Sequence, residues 1–550
     1  MKKNSFLEGA MIATIGIVIC KIIGLFYVIP FYAIIGTQGG ALYSYAYSIY
    51  AIFLSLSNSG IPVAMSKIIS EYNALGYHNT KERAFKIGTM LISGLGIFFF
   101  LVLIIFAPIL AKTILGSATG GNTVEGVTLV IRIVATALLI VPIESTTQGY
   151  LQGQKFITPS SMANVIEQLV RVTIIIVGSF TALKVFHLSL ETAVGIAVFA
   201  ATLGCLVAYF YLLRKIKKNR SKLRREDSPC LAEKRITNKD ILKKIILYAL
   251  PFVVIDVMNS AYGIVDTMTV VSTMSDLGYS TKIAETSIGV IATWATKLNM
   301  IIASIVLGIS TSLIPNIASA NVKKDYQDLD RKVNQSLQAL ITTTLPMALG
   351  LSFLSTPVWV IFYGFDTLSI NIFSFYIFQA ITYSFYTVLI DIMQTLNNSK
   401  ISLGTLIGSF IAKALLNTPM MILFTKVGLE AYYAPIFTTL LTQTVSILFL
   451  LYKLKQKYHI HYFNTFKTGL KSILCVGIMV VSLAIIRLFI PVETTSRMIA
   501  IAITIFYTII GAIIYILCAF KSNLVYEVFG EKIVNGILRR IPFIKKLKHS

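Results

Sequence analysis

The stretch IGTMLISGLGIFFFLVLIIFAPILA, residues 87–111, has no charged side chain between Lys86 and Lys112. About 20 apolar residues in an α-helix cross the hydrocarbon core of a bilayer. A backbone inside that core has to close its hydrogen bonds within the segment, which favours a helix. The stretch therefore predicts a membrane-spanning helix, and we find similar segments along the whole chain.

The composition of the chain agrees with this interpretation. Of 550 residues, 56% are hydrophobic and 13% are charged, and 48 Lys and Arg against 24 Asp and Glu give a formal net charge of +24. A soluble domain has about twice that charged fraction. These values exclude a soluble globular enzyme, a disordered chain and a disulfide-rich scaffold. The five cysteines form no Cys-x-x-C pair, so we expect no metal centre and no redox centre.

Fourteen segments are predicted to span the membrane, and the expected fold is an all-α polytopic membrane protein. Lys2 and Lys3 precede the first segment, but this segment carries Lys21 and lacks a small-residue cleavage site. We therefore expect a retained span and not a removed leader. The predicted spans are 11–35, 41–66, 86–115, 127–152, 158–183, 190–213, 245–274, 288–320, 336–362, 371–396, 401–425, 433–453, 468–490 and 498–519.

Positive charge is distributed unevenly over the segments between the spans. If both termini lie in the cytoplasm, 37 of the 48 Lys and Arg fall in cytoplasmic segments and five fall in outer segments. Cytoplasmic segments of membrane proteins collect Lys and Arg. The bias therefore predicts this orientation and favours an even number of spans.

A basic segment, residues 214–244, divides six predicted spans from eight. It holds thirteen Lys and Arg, and we expect it to lie on anionic lipid at the cytoplasmic face. It lacks the interleaved aromatic residues of a nucleic-acid surface, so nucleic acid is not an expected partner. The predicted organisation is an N-terminal lobe of spans 1–6 (1–213), this linker (214–244), a C-terminal lobe of spans 7–12 (245–453), spans 13 and 14 (454–520) and a basic cytoplasmic tail (521–550).

Two short similarities suggest that spans 1–6 and 7–12 are copies of one unit. Residues 149–155, GYLQGQK, resemble residues 394–400, QTLNNSK, and both segments end a span at the cytoplasmic face. Residues 61–66, IPVAMS, resemble residues 314–319, IPNIAS. Both similarities shift by six spans, so the sequence predicts two six-helix repeats of the same orientation, followed by two extra helices.

Repeated halves are typical of transporters that rock one half against the other. Interrupted helices at matching places in the two halves are a pointer to the central site of such proteins. Gly60, Pro62 and Pro315 are therefore candidate positions for a helix break or for gating. The alternative is that the prolines merely kink their helices, as proline often does in membranes.

Two lysines lie inside predicted spans. A charge at mid-membrane costs about 2.5–3.5 kcal/mol on insertion scales. Lys21 is near the middle of span 1, and Lys297 is in the first half of span 8. We expect each to face an aqueous cavity and bind an anion there, or else to form a salt bridge with an acid such as Asp256 or Asp266.

Acidic residues inside spans are candidates for carrying a proton or a coupling cation. Asp256 and Asp266 lie in span 7, and Glu144 lies in span 4. Glu167 and Arg171 in span 5 are spaced i, i+4, so they are predicted to pair on one face of a helix. The sequence does not decide which acid, if any, couples to transport.

The chain resembles the SpoVB/YtgP-type polysaccharide biosynthesis proteins along nearly its whole length. The segments that carry the resemblance are KIIGLFYVIPFY (21–32), SGIP (59–62) with Ser66-Lys67, LQGQK (151–155) and Ile314-Pro315. These proteins belong to the multidrug/oligosaccharidyl-lipid/polysaccharide exporter (MOP) superfamily and are similar to the MurJ-type lipid II flippases.

The resemblance implies a flippase of the bacterial plasma membrane, and neither an enzyme nor a cofactor. The implied cargo is a polyprenyl-pyrophosphate-linked sugar, with the peptidoglycan precursor lipid II favoured, moved from the inner to the outer leaflet by alternating access. It further implies a cationic central cavity lined by spans 1, 2, 7 and 8, with Lys21 and Lys297 as its cations, and contacts with cell-wall synthesis proteins. Tyr27 stands where the flippases have a second cation in span 1, and span 2 has none before Lys67.

Other functions remain open at this point. One is export of another lipid-linked oligosaccharide. A second is multidrug/cation antiport within the same superfamily, which calls for acidic residues in the N-terminal half of the cavity, and spans 1 and 2 have none. A membrane-embedded glycosyltransferase needs a large outer loop, whereas the longest predicted outer loops, 116–126 and 275–287, are short. A purely structural protein gains nothing from lysines inside its spans.

Overall fold

The computed structural model describes residues 6–58, 60–116, 121–219, 223 and 236–529. In this part of the chain all regular secondary structure is helical, which confirms the predicted all-α fold. The α-helices are α1 (Phe6–Phe26), α2 (Val28–Asn58), α3 (Gly60–Ala74), α4 (His78–Leu115), α5 (Val124–Ala135), α6 (Val141–Gly153), α7 (Ile157–Thr173), α8 (Leu190–Lys218), α9 (Asn238–Asp276), α10 (Thr281–Gly289), α11 (Ala295–Val322), α12 (Tyr326–Phe353), α13 (Ser355–Tyr363), α14 (Thr367–Tyr376), α15 (Gln379–Thr395), α16 (Ser399–Lys426), α17 (Ala434–Tyr458), α18 (Phe463–Arg487), α19 (Arg497–Lys521) and α20 (Leu524–Phe529). Short 3₁₀ helices at Thr136–Leu139 and Ala431–Tyr433, and π-helices at Ile174–Gly178, Thr181–Val185 and Val290–Trp294, adjoin them.

The helices are long and apolar enough for a multi-pass membrane protein. Among the described residues, eleven helical segments qualify as spans, or twelve if the bent pair Ile15–Phe26 and Val28–Phe53 counts as one. The members of that pair meet at 44°. The predicted seventh span falls in α9, a helix of 39 residues. The protein therefore crosses the membrane many times, while the number fourteen stays a prediction.

Gly36 interrupts the helical geometry inside α2. Its backbone has φ 65° and ψ −167°, and the helices before and after it are joined across a kink. Only glycine adopts this region readily, because it has no Cβ. The kink lies at the predicted boundary between spans 1 and 2.

Side-chain caps mark where several helices begin. The Thr123 hydroxyl accepts a hydrogen bond from the Gly126 N–H at 3.0 Å at the start of α5. Thr237 and Asp240 form a reciprocal capping box at the start of α9. The hydrogen bonds from Thr237 hold the pKa of the exposed Asp240 carboxyl below its usual value. Such caps satisfy N–H groups that have no partner within the helix, and thereby fix its first residue.

Packing divides the chain into two compact units. Unit 1 comprises residues 1–293 and 417–426, and unit 2 comprises residues 294–416 and 427–550. In unit 1, α9 packs against α2, α3 and α4. In unit 2, α12 packs against α11 and α18, and α15 packs against α17. The lobes predicted above are defined by a sequence repeat and not by packing, so their boundaries stay a prediction.

Four turns between predicted spans share one backbone geometry. Gly76 and Lys155 in the first half and Lys324 and Asn397 in the second all have positive φ, between 56° and 70°. In each turn this residue donates its N–H to the carbonyl three residues earlier, and the next N–H donates to the carbonyl five residues earlier. These are Schellman turns at helix C-termini. Gly278, with φ 88°, forms a fifth turn of this kind in the second half, so the turns do not decide the repeat, which stays a prediction. Measured from them, Lys155 corresponds to Asn397, three residues before Lys400.

The predicted helix breaks have different outcomes. Residue 59, between α2 and α3, lies outside the described residues, so the break expected near Gly60 stays a prediction. In contrast, α11 is continuous through position 315, so the break expected at Pro315 is absent from the described backbone. Neighbouring helices and local adjustments allow proline inside membrane helices. The side chains of Pro62, Asp256 and Pro315 lie outside the described residues.

Candidate functional site

Lys21 lies on α1 where this helix packs closely on α7 in unit 1. A Cβ added at Gly16 would lie 3.2 Å from the Ser161 Cβ, and one at Gly24 would lie 3.3 Å from Gln168 Nε2. These two contacts lie on either side of Lys21 along the helix. The Lys21 side chain is half-buried. The two helices thus hold this cation within the predicted first span, at the edge of their interface.

Helix α7 carries the ion pair that the i, i+4 spacing predicts. Glu167 Oε1 and Arg171 Nη1 are 3.8 Å apart, which confirms the pairing. Arg171 also interacts electrostatically with the hydroxyls of Tyr43, Tyr47 and Tyr50 on α2. The rings of Tyr43 and Tyr47 stack with their centroids 5.6 Å apart. This part of unit 1 therefore combines one cation with several aromatic hydroxyl groups.

Glu144 on α6 lies in the same polar cluster. It is buried, and its Oε1 accepts a hydrogen bond from Gln148 Nε2 at 2.5 Å. Gln148 Nε2 also donates to Asn164 Oδ1 at 2.6 Å. Glu144 is within electrostatic range of Glu167. Two ionised carboxylates close to one another repel, so a proton or a bound cation on this pair would stabilise the cluster.

The approach of Glu144 to Glu167 was missed by the sequence reasoning, which considered each acid separately. The two residues lie in different spans, and a single sequence does not reveal which faces of neighbouring helices meet. The sequence does contain one indication of this contact. Gln148, Asn164 and Glu167 are polar or acidic residues within otherwise apolar segments. Buried polar groups usually find one another, because each costs free energy when left without a partner.

Asp266 on α9 lies in a second polar cluster of unit 1. It is buried, and its Oδ1 accepts a hydrogen bond from Asn417 Nδ2 at 3.2 Å. Asn417 Nδ2 also donates to Thr269 Oγ1 at 2.7 Å. The sequence reasoning did not single out Asn417, although an asparagine inside an apolar span is itself a signal. The cluster offers oxygen atoms, which suit a proton or a hard cation.

Lys297 lies on α11 in unit 2 and is half-buried. The π-helix Val290–Trp294 precedes α11, and π-helical turns often occur at functional sites. The Tyr363 hydroxyl donates to the Trp294 carbonyl at 3.0 Å, and the Thr296 and Tyr376 hydroxyls are 2.7 Å apart. Aromatic hydroxyls therefore bond to the π-helix and to α11 within three residues of Lys297. The predicted sharing of one cavity by Lys21 and Lys297 stays a prediction.

Comparison with known proteins identifies relatives of the chain. Residues 6–321 match the family described as "Polysaccharide biosynthesis protein". The chain is 30% identical to "Lipid II flippase MurJ" of Bacillus subtilis (strain 168) over 560 residues, which cover 100% of this chain and 99% of that protein. It is 24% identical to "Stage V sporulation protein B" of the same organism over 339 residues, 62% of this chain and 63% of that protein.

Solved structures share the fold. A "Lipid II flippase MurJ, inward closed conformation" matches 94% of this chain and 100% of its own, with a TM-score of 0.60 at 16% identity. An inward-facing "multidrug resistance MATE family transporter of the MOP superfamily" matches 80% of this chain and 94% of its own, with a TM-score of 0.63 at 14% identity. The family match spans more than half of the chain, and the 30% identical relative spans all of it. The chain therefore belongs to the polysaccharide biosynthesis protein family.

Proposed function

We propose that this protein is a flippase that moves a polyprenyl-pyrophosphate-linked sugar, with lipid II as the favoured cargo, from the inner to the outer leaflet by alternating access. The observation that carries the proposal is the full-length similarity to a protein named lipid II flippase, at 30% identity. It acts as a transporter and not as an enzyme.

Lys21 and Lys297 hold the pyrophosphate of the cargo. A pyrophosphate that enters a low-dielectric cavity needs compensating cations, because the loss of hydration is costly. Lysine suits this task, since its ammonium group is a point charge that can be approached from several directions. Both lysines are half-buried and lie within predicted spans, which agrees with side chains that reach a cavity in part of the cycle.

The remaining assignments concern movement and coupling. Spans 1–6 and 7–12 act as two halves that rock, and Gly60, Pro62 and Pro315 are the proposed gating positions, with Pro315 inside a continuous helix. Glu144, Asp256 and Asp266 are the candidates for ion coupling. Of these, Glu144 and Asp266 are buried in polar clusters, which supports the assignment.

The protein works in the bacterial plasma membrane with both termini in the cytoplasm, as the 37-to-5 distribution of Lys and Arg supports. Its basic cytoplasmic segments lie on anionic membrane lipids. Cell-wall synthesis proteins are the proposed protein partners, because they make and consume the lipid-linked cargo.

Complementation of a bacterial strain depleted of its lipid II flippase tests the cargo and the site together. The parent chain is expected to restore growth. Lys21→Ala and Lys297→Ala are expected to fail at equal membrane levels, while the Lys→Arg variants keep partial activity, because charge matters more than shape. Lys112→Ala and Lys323→Ala, at exposed lysines, are the matched controls and are expected to rescue fully. Growth supported by both alanine variants would reject the pyrophosphate site.

The runner-up function is multidrug/cation antiport. One observation favours it: Glu144 and Glu167 supply acidic residues to the first unit, although not from spans 1 and 2. Efflux of a fluorescent cationic drug from vesicles distinguishes the two functions. An antiporter extrudes the drug and loses that activity in Glu144→Gln, whereas the proposed flippase extrudes none.

A further inference from the structure

Within unit 1, the start of span 8 is attached to the N-terminal spans at the predicted outer face. The backbone N–H of Asn122 donates to Glu285 Oε1 at 2.8 Å, and Asn122 Nδ2 donates to the same oxygen at 2.9 Å. Asn122 Nδ2 also donates to the Gln38 carbonyl at 3.1 Å. Glu285 is only 3% exposed. One buried carboxylate on α10 thus joins the segment between α4 and α5 and, through Asn122, the α2 backbone.

The fit at this contact is tight. A Cβ added at Gly121 would lie 2.7 Å from Glu285 Oε2 and 2.6 Å from the Thr281 side chain. A real Cβ would therefore force the carboxylate aside. Gly121 therefore allows α10 to approach the N-terminal spans, and a larger residue at this position would hold α10 away from them.

A second attachment lies at the predicted inner face, between α3 and α9. Lys244 Nζ and Glu71 Oε1 are 2.6 Å apart, and Lys244 Nζ lies 5.0 Å from the Tyr72 ring centroid. Lys67 Nζ lies 4.1 Å from the Tyr248 ring centroid. Although partial burial opposes it, the hydrogen bond to Glu71 raises the pKa of Lys244. Each side of this contact contributes a cation and an aromatic ring.

The two attachments differ in strength for a physical reason. The Glu285 carboxylate is buried and accepts two N–H groups, and charge-assisted hydrogen bonds in such places are strong. The Glu71–Lys244 pair is partly exposed, with side-chain exposures of 39% and 25%, so water competes with it. Midway, the Ser55 and Ser260 hydroxyls are 2.7 Å apart, a neutral bond that can break at small cost. In this conformation the outer attachment is the firmer one.

We infer that Asn122 and Glu285 form the outer latch of the transport cycle and that Glu71 and Lys244 form the inner latch. This rests on the proposed alternating-access function. The inner latch opens first, because it is weaker, and admits cargo from the cytoplasmic side. Release to the outside requires that Glu285 leave Asn122.

Cysteine labelling tests the outer latch without any cargo. The five native cysteines are replaced by serine, and Ser287→Cys is introduced as a reporter, since Ser287 is fully buried two residues after Glu285. A membrane-impermeant maleimide added outside is expected to label this cysteine about tenfold faster in Glu285→Gln than in the parent, because a charge-assisted bond is lost. Asn122→Ala, which removes the side-chain donor alone, is expected to act in the same direction.

The matched control is Glu125→Gln, which changes an exposed acid in the same outer region. It is expected to leave the labelling rate unchanged. Equal rates in the parent, Glu285→Gln and Asn122→Ala, with all proteins monodisperse, would overturn the outer latch.

Cross-linking tests both latches during transport. The pairs Asn122→Cys with Glu285→Cys and Glu71→Cys with Lys244→Cys are closed by a short bis-methanethiosulfonate in proteoliposomes that contain fluorescent lipid II. Each cross-link is expected to stop flipping, and reduction is expected to restore it. If the cross-linked proteins flip at the uncross-linked rate, the latches are wrong. If the uncross-linked protein moves no lipid II, the proposed cargo is wrong, while the labelling rates still decide the latch.

Discussion

Lys81 illustrates at the scale of one residue how this chain accommodates a buried charge. It is 1% exposed, and its Nζ donates to Asn73 Oδ1 at 3.1 Å, to Gln154 Oε1 at 3.3 Å and to the Leu223 carbonyl at 3.2 Å. Three oxygens thus replace the water that the ammonium group loses. Lys21 is only half-buried by comparison. The difference suits a structural role for Lys81 and a ligand-binding role for Lys21.

Replacement of Lys81 by methionine should destabilise the protein strongly. Methionine keeps the length of the side chain but removes all three donors, and hydrogen bonds from charged groups contribute about 1.5–3 kcal/mol each. We expect the free energy of unfolding to fall by about 3 kcal/mol, measured by thermal or denaturant unfolding in detergent. Lys86→Met, at an exposed position of the same helix, should change it by less than about 0.5 kcal/mol. An unchanged Lys81→Met protein would contradict this account of Lys81.

At the scale of helices, a glycine permits the close contact between α6 and α3. A Cβ added at Gly153 would lie 2.6 Å from the Ser66 carbonyl oxygen and 2.8 Å from the Ile69 Cβ. Small residues at helix interfaces allow the close backbone approach on which membrane helices depend for packing. This explains one residue of the LQGQK segment that contributed to the family resemblance. The close contact at Gly153 also packs the end of span 4 tightly against the end of span 2.

Gly153→Ala should push these two helices apart. The new methyl group meets a backbone carbonyl, which cannot rotate away as a flexible side chain would. Overpacking of this kind costs about 1–3 kcal/mol, so we expect a lower unfolding midpoint. Gly94→Ala is the control, since no atom lies within 4 Å of its added Cβ and alanine favours a helix. Equal midpoints for the two variants would show that the α3–α6 contact tolerates a methyl group.

At the scale of the whole molecule, the packing units and the predicted repeat describe different properties. The repeat concerns chain order and stays a prediction. The packing units concern one conformation, in which α9 lies with the N-terminal spans. Helix α9 belongs to the second predicted repeat but packs with helices of the first. Such packing is expected in a transporter whose two halves exchange contacts during the cycle. The orientation of the helices in the membrane is a separate property, set by the distribution of charge.

The orientation predicts opposite labelling of two single cysteines. Asn122 is buried by its contact with Glu285, so the exposed neighbour Glu125 is the better outer probe. Lys217, exposed near the end of α8, is the inner probe. An impermeant maleimide added to intact cells should label Glu125→Cys, and it should reach Lys217→Cys only after permeabilisation. Labelling of both from the same side would refute the predicted topology.

The sequence alone determined the helical fold, the multi-pass architecture and the family. Span length and charge between spans are local properties, because each helix closes its own backbone hydrogen bonds and lipid covers its apolar side chains. Only the tertiary structure decided that Glu144 lies near Glu167, that Asn417 bonds Asp266 and that Asn122 bonds Glu285. These contacts join residues of different segments of the chain. They depend on which faces of the helices meet, and helices that are apolar on most sides carry little periodicity to indicate those faces.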